Sequence, residues 1–126
     1  MTDSATSTTP AFGEPTDPPQ ISAALFIRLT ARANQIAAVD AFLREDLSAV
    51  ADEPGTTTWY AIRFGERDFA IFDTFPGDEA RLAHLAGKVG HALVARTPEL
   101  LDGAPSIEKA KVLAYKVPGE KGQVPP

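Results

Sequence analysis

The chain has 126 residues, 44% of them hydrophobic, and a formal net charge of −5. That suffices for one domain with a core, and the charge is mild, with Asp3, Glu14 and Asp17 near the start and no basic run of the kind nucleic acid needs. The lack of cysteine excludes disulfides, thiolate metal sites and a thiol nucleophile, and no apolar run approaches the ~20 residues that span a bilayer.

Residues 1–20 hold four prolines and seven Ser or Thr, with Phe12 as the single bulky apolar group, which predicts a disordered N-terminal tail. No basic region followed by an apolar core stands at the start, so no signal peptide is expected and the protein is read as cytoplasmic. Residues 21–118 are read as the folded domain and 119–126 as a flexible C-terminal tail.

The first element, residues 24–31, reads as a strand whose Leu25, Ile27 and Leu29 form an aliphatic row and whose Phe26, Arg28 and Thr30 form a mixed one. Asn34 is a candidate N-cap for a helix with Ile36, Val39, Leu43, Leu47 and Val50 at helical spacing. Glu53-Pro54-Gly55 ends that helix, and residues 56–75 read as a hairpin turning at Gly65-Glu66-Arg67-Asp68. Pro76-Gly77 breaks the second hairpin strand and Asp78 caps another helix. Its stripe is Leu82, Leu85, Val89, Leu93 and the stem of Arg96, and 97–101 add a turn. Residues 106–117 read as a fourth strand.

The order β-α-β-β-α-β predicts an α+β, ferredoxin-like domain with a four-stranded antiparallel sheet and both helices on one face. The hairpin is apolar on both faces, and two helices cover only one. A second copy packed sheet against sheet would cover the other, so a homodimer is expected. If Phe64 pairs with Phe69, then Tyr60 faces Asp73, Ile62 faces Ile71 and Thr58 faces Phe75. With Arg28 and with Lys109, Leu113 and Tyr115 of the last strand, this mixed row is assigned to the inter-subunit side, around an aromatic-lined cavity. A one-residue slip would exchange Trp59 with Tyr60.

The segments "EPGTTTWYAIRF" and "FAIFDTFPGDEARLAHLAGKVGHAL" resemble the second strand, third strand and following helix of the antibiotic biosynthesis monooxygenase family of dimeric α/β barrels. The resemblance spans roughly residues 22–117. It implies oxidation of a quinol- or anthrone-like aromatic by dioxygen with no metal or flavin, so neither cofactor nor metal is expected. The protein would bind flat rings in a dry pocket, remove a proton and stabilise the resulting anion. The chain departs from the family in places. His91 is displaced from the second histidine that many relatives carry, and Val94 stands near the haem-ligating position of the haem-degrading members. Trp59 is the only tryptophan, and no asparagine partner for it aligns.

On this reading Asp73 and His84 are the candidate catalytic residues. Asp73 is a carboxylate within an apolar strand, and His84 is the side chain that titrates nearest neutrality. Arg28, Trp59, Tyr60, Phe75 and Tyr115 are the candidate substrate-binding residues. Each has a structural reading beside the functional one: an ion pair for Asp73 and Arg28, a helix-flanking histidine for His84, core packing for Trp59. Two alternatives to an oxygenase are a non-catalytic dimeric binding protein and an isomerase or decarboxylase using the same cavity. No partner of nucleic acid or membrane type is expected.

Overall fold

The structure, a computed structural model, describes residues 20–119 together with Gly122, Val124 and Pro125. The expected N-terminal tail therefore lies outside the described residues, apart from Gln20. Seven elements follow one another: β1 (Ala23–Thr30), α1 (Ile36–Val50), β2 (Thr58–Arg63), β3 (Asp68–Phe75), α2 (Asp78–Leu85), α3 (Lys88–Leu100) and β4 (Ser106–Lys111). The strands form one antiparallel sheet in the order β2-β3-β1-β4, the ferredoxin-like arrangement. Among the described residues no helix is long and apolar enough to cross a membrane.

Alternation along β1 decides the layers. Leu25, Ile27 and Leu29 are buried and join Val39, Phe42, Leu43, Leu93 and Leu100 of the helices in one core. Phe26, Arg28 and Thr30 turn to the other face. Through the β1–β3 register, Leu25, Ile27 and Leu29 stand beside Asp73, Ile71 and Phe69. The row containing Asp73 and Phe75 is thus the helix-covered row, and the expectation that Asp73, Ile71 and Phe75 face a second subunit is corrected.

The cause is the hairpin. Its turn has three residues, Gly65 to Arg67, closed by the Phe64 N–H on the Asp68 carbonyl at 3.0 Å, instead of the expected four. Arg63 holds the turn by donating to the Gly65 and Glu66 carbonyls. Arg67 is pinned to the end of β1 through the Ala31 carbonyl at 2.8 Å. Thr58 consequently faces Thr74, their hydroxyls 2.6 Å apart, Trp59 faces Asp73 and Tyr60 faces Phe72. Side chains in a strand alternate with period two, so one residue fewer in the turn exchanges the faces. Trp59 goes to the helix side, and Tyr60 and Ile62 stay on the open face.

The last strand also differs from expectation. Lys109 pairs with Leu25, so Ile107, Lys109 and Lys111 share the helix-side row, and Ser106, Glu108 and Ala110 take the open face. β4 ends at Lys111 because its partner there, Ala23, is where β1 begins. Leu113 and Tyr115 lie beyond it, and Tyr115 lines a shallow cleft with Ile21, Pro76, Val124 and Pro125.

The second helical segment is two helices, divided at Ala86-Gly87. The division lets α3 turn back closely on the end of α2: a Cβ on Gly90 would stand 2.2 Å from the Leu85 carbonyl oxygen. Gly90→Ala must therefore push the two helices apart. The expected loss is about 1–3 kcal/mol, read as a lower melting temperature, with faster proteolysis at residues 85–90.

Candidate functional site

Pro76-Gly77 releases the chain from β3, and α2 starts with Asp78 and Glu79, acids suited to the positive end of a helix. Arg81 anchors this helix to the sheet. Its guanidinium donates to the Ala24 and Ala110 carbonyls at 3.1 and 2.9 Å and pairs with Asp78 at 2.7 Å. One turn later His84 is carried over β3, in the last turn of α2, where a cation is favoured.

His84 is only 6% exposed and lies between two carboxyl groups. Its Nδ1 donates to Glu53 Oε1 at 2.6 Å, and its Nε2 stands 3.0 Å from Oδ2 of Asp73, which is 0% exposed. The Asp73 contact is close but oblique, so neither Asp73 oxygen accepts a well-aligned hydrogen bond. The Thr56 hydroxyl donates to the same Glu53 oxygen at 2.9 Å, and the Phe75 ring packs on the imidazole with centroids 5.2 Å apart. Burial is the largest single influence on His84 and opposes its charge. The close contact with Asp73, the hydrogen bond to Glu53 and the charges of both acids together outweigh it, and the net shift is upward from 6.5.

His84 forms a partition between two spaces. On one side is a small cavity of about 90 Å³ between the sheet and the helices, walled mainly by Ile27, Ile71, Leu85, Val89 and Leu93 and opening past the exposed Val94 and Ile107. On the other is an open cleft of about 330 Å³ between the Asp52–Thr56 loop and Ala80 and Ala83 of α2. One acid lines this cavity: Asp46 of α1, 7% exposed, whose Oδ2 is buried without a hydrogen-bond partner. Burial, and to a smaller degree the Glu53 charge, push its carboxyl up to about 6, against the pull of His84.

The expected site residues divide into groups. Asp73, His84 and Phe75 come together on the helix side, with Trp59 beside Asp73 and its Nε1 buried without a partner. Phe75 is fully buried in the core and lines neither space. Arg28 and Tyr60 occupy the opposite face. There Arg28 stacks over Phe26 and Phe64, its guanidinium carbon 5.8 and 4.9 Å from the ring centroids, and Tyr60 lies over Phe72. Tyr115 joins neither group and lines the cleft beside Ser22 and Pro76, at the end of the central strands. Among the described residues no cluster of three or more His, Asp or Glu has the arrangement of a metal site.

No family model and no curated protein matches the chain. Among solved structures, the NE2512 protein of unknown function from Nitrosomonas europaea is 41% identical, with a TM-score of 0.78, over 81% of this chain and 99% of its own. The chain belongs to the family of NE2512. Two further structures carry the provisional description of antibiotic biosynthesis monooxygenase. One, also from Nitrosomonas europaea, has a TM-score of 0.66 at 10% identity over 72% of this chain and 98% of its own. The other, from Chloroflexus aurantiacus, has 0.62 at 17% identity over 78% and 99%. At those identities the likeness is one of fold, and in the fold the resemblance carried by Glu53-Pro54-Gly55 and the 69–93 segment is borne out.

In this member of the NE2512 family, three residues of the site escape a reading of candidates by type. Glu53 looks like part of a helix stop and Thr56 like the start of a hairpin, yet both bond to each other and to His84. Asp46 had a signal: Val39, Leu43, Asp46 and Val50 follow helical spacing, and all four are buried. Leu47, assigned to that stripe, is exposed.

Proposed function

We propose that the protein is a homodimeric oxygenase that oxidises a quinol-like aromatic with dioxygen and needs no metal or flavin. In the balanced reaction a quinol and dioxygen give a hydroxylated quinone and one water. The substrate loses four electrons, and both oxygen atoms are reduced. The observation that carries the reading is the imidazole of His84, walling an apolar cavity while Asp73 and Glu53 hold it.

With a carboxylate at each ring nitrogen, His84 is best suited to remaining a cation. It would stabilise the anion formed when the quinol loses its proton. Asp73 and Glu53 fix the orientation of the ring. Dioxygen can then take an electron from the electron-rich anion directly. The dimer is supported by the open sheet face, where Tyr60, Ile62 and Phe64 are each at least 40% exposed and Phe26 and Phe72 are half-buried.

Oxygen uptake with a panel of quinols tests the reaction. The wild type should consume one dioxygen per quinol, and His84→Gln, which keeps a polar group but no charge, should lower turnover by about 10²–10³-fold. Binding of quinols without oxygen uptake by the wild type would instead support the non-catalytic alternative.

A further inference from the structure

The cavity of about 90 Å³ holds roughly three waters, too little for an aromatic ring. A ring that meets His84 must therefore approach from its other side. The cleft there has about 330 Å³, and small-molecule sites start near ~300 Å³. It lies between the loop after α1 and helix α2, on the helix side, so a sheet-to-sheet dimer leaves it open. Pro54, Ala80 and Ala83 give it apolar walls. Loop and helix converge at Gly55, where an added Cβ would stand 3.5 Å from the Ala80 Cβ.

Hydrogen-bonding capacity in this cleft is one-sided. The proton on His84 Nδ1 is committed to Glu53 Oε1, and so is the Thr56 hydroxyl proton. His84 Nε2 faces Asp73 instead. No side chain lining the cleft has a donor to spare. Acceptors do remain. Asp52 is exposed at the rim, and the Glu53 side chain is 24% exposed. Glu53 Oε2 is not buried and accepts no hydrogen bond from any described residue. A ligand that satisfies the cleft must donate.

We infer that this cleft is the ligand site and that Glu53 is its binding residue, Oε2 accepting from a hydroxyl on a ring laid against Pro54, Ala80 and Ala83. The ligand class, a quinol of one or two rings, rests on the oxygenase reading. The cleft and its demand for a donor do not. Glu53 is set for this contact in advance, because two donors converge on Oε1 and leave Oε2 for the ligand. The contact also gives the quinol proton a destination. As that proton moves to Oε2, the negative charge passes from Glu53 to the ring oxygen, and His84 stays a cation beside both. The proton later joins the oxygen that leaves as water, and Glu53 ends ionised as it began.

The experiment is anaerobic titration of the full chain with 1,4-dihydroxybenzene and with 1,4-dimethoxybenzene, which keeps the ring but cannot donate. The wild type should bind the diol about tenfold more tightly, as one hydrogen bond to a charged acceptor allows. Glu53→Gln should lose that preference. Its Oε1 still receives both donors, which holds the fold and puts an NH2 group where Oε2 was. Ala83→Leu should bind neither compound measurably, since it fills the cleft from an exposed helical position that leucine suits. Thermal melts check that both variants are folded. A Glu53 that only supports the structure would weaken both ligands alike and keep the preference. That result overturns the inference, as do unchanged binding by Ala83→Leu and failure of the wild type to bind the diol at millimolar concentration. Oxygen uptake in air separates this proposal from the oxygenase. Glu53-dependent preference without uptake supports the cleft and removes the oxygenase. Uptake undiminished in both variants removes the cleft and leaves the oxygenase.

Discussion

His84→Ala is expected to cost about 3–5 kcal/mol of folding stability, because it leaves Asp73 buried without its counter-charge. Denaturant unfolding at pH 6 measures it directly. Asp73→Asn combined with His84→Gln should recover much of the loss, since neutral partners of similar shape do not strand a charge. The effect must also depend on pH in a definite direction. The folded pKa of His84 lies above the unfolded 6.5, so its contribution is fully present below 6.5 and is lost as pH rises through the raised value. The gap between wild type and His84→Ala should accordingly narrow on the alkaline side. Asp46 acts in a different window. Its carboxyl titrates near 6 when folded and at 3.8 when unfolded, so stability falls as pH rises from about 4 to 6 and is level above. Asp46→Asn should abolish that slope and melt at or above the wild-type temperature at pH 7.

Ile62→Asp is expected to convert a dimer at micromolar concentration to monomer while leaving the fold intact. Ile62 is on the open sheet face, paired with Ala70, and 40% exposed in the single chain. An aspartate there is solvated in the monomer but buried and unpaired in a sheet-to-sheet dimer. Sedimentation velocity distinguishes the two states, and circular dichroism checks the fold. A wild-type protein that sediments as a monomer would remove the dimer. The control is Ile71→Asp, which strikes the helix-covered core and should unfold the chain rather than separate two copies.

The architecture was legible because each signal had a local cause. The alternation of β1 separates Leu25, Ile27 and Leu29 from Phe26 and Arg28, and both hold. Pro54-Gly55 and Pro76-Gly77 interrupt the chain where the elements end. The faces of the hairpin were not legible, since Trp59 and Tyr60 are both aromatic and either register buries one of them. Arg67 decides the matter by bonding to Ala31, 36 residues away. His84 looked like a flanking residue because Leu82, Leu85 and Val89 suggest one uninterrupted helix. The division at Ala86-Gly87 resets the phase, leaving Leu82 exposed and His84 buried. The placing of His84 between Asp73 and Glu53 then depends on three separate segments, which no short stretch encodes.

The three-residue hairpin turn ties the facing of β2 to the length of a surface loop. Loops generally accept insertions at small thermodynamic cost. A residue added between Gly65 and Arg67 and taken up by β2 instead of by the turn would rotate the strand by one position, turning Trp59 outward and Tyr60 towards Asp73. Among descendants of a common ancestor, one codon gained or lost at this turn could exchange the residue above the buried acid without altering any residue of the site. Divergence of activity within such a lineage would then be written in spacing rather than in substitutions, and comparisons scored column by column would overlook it.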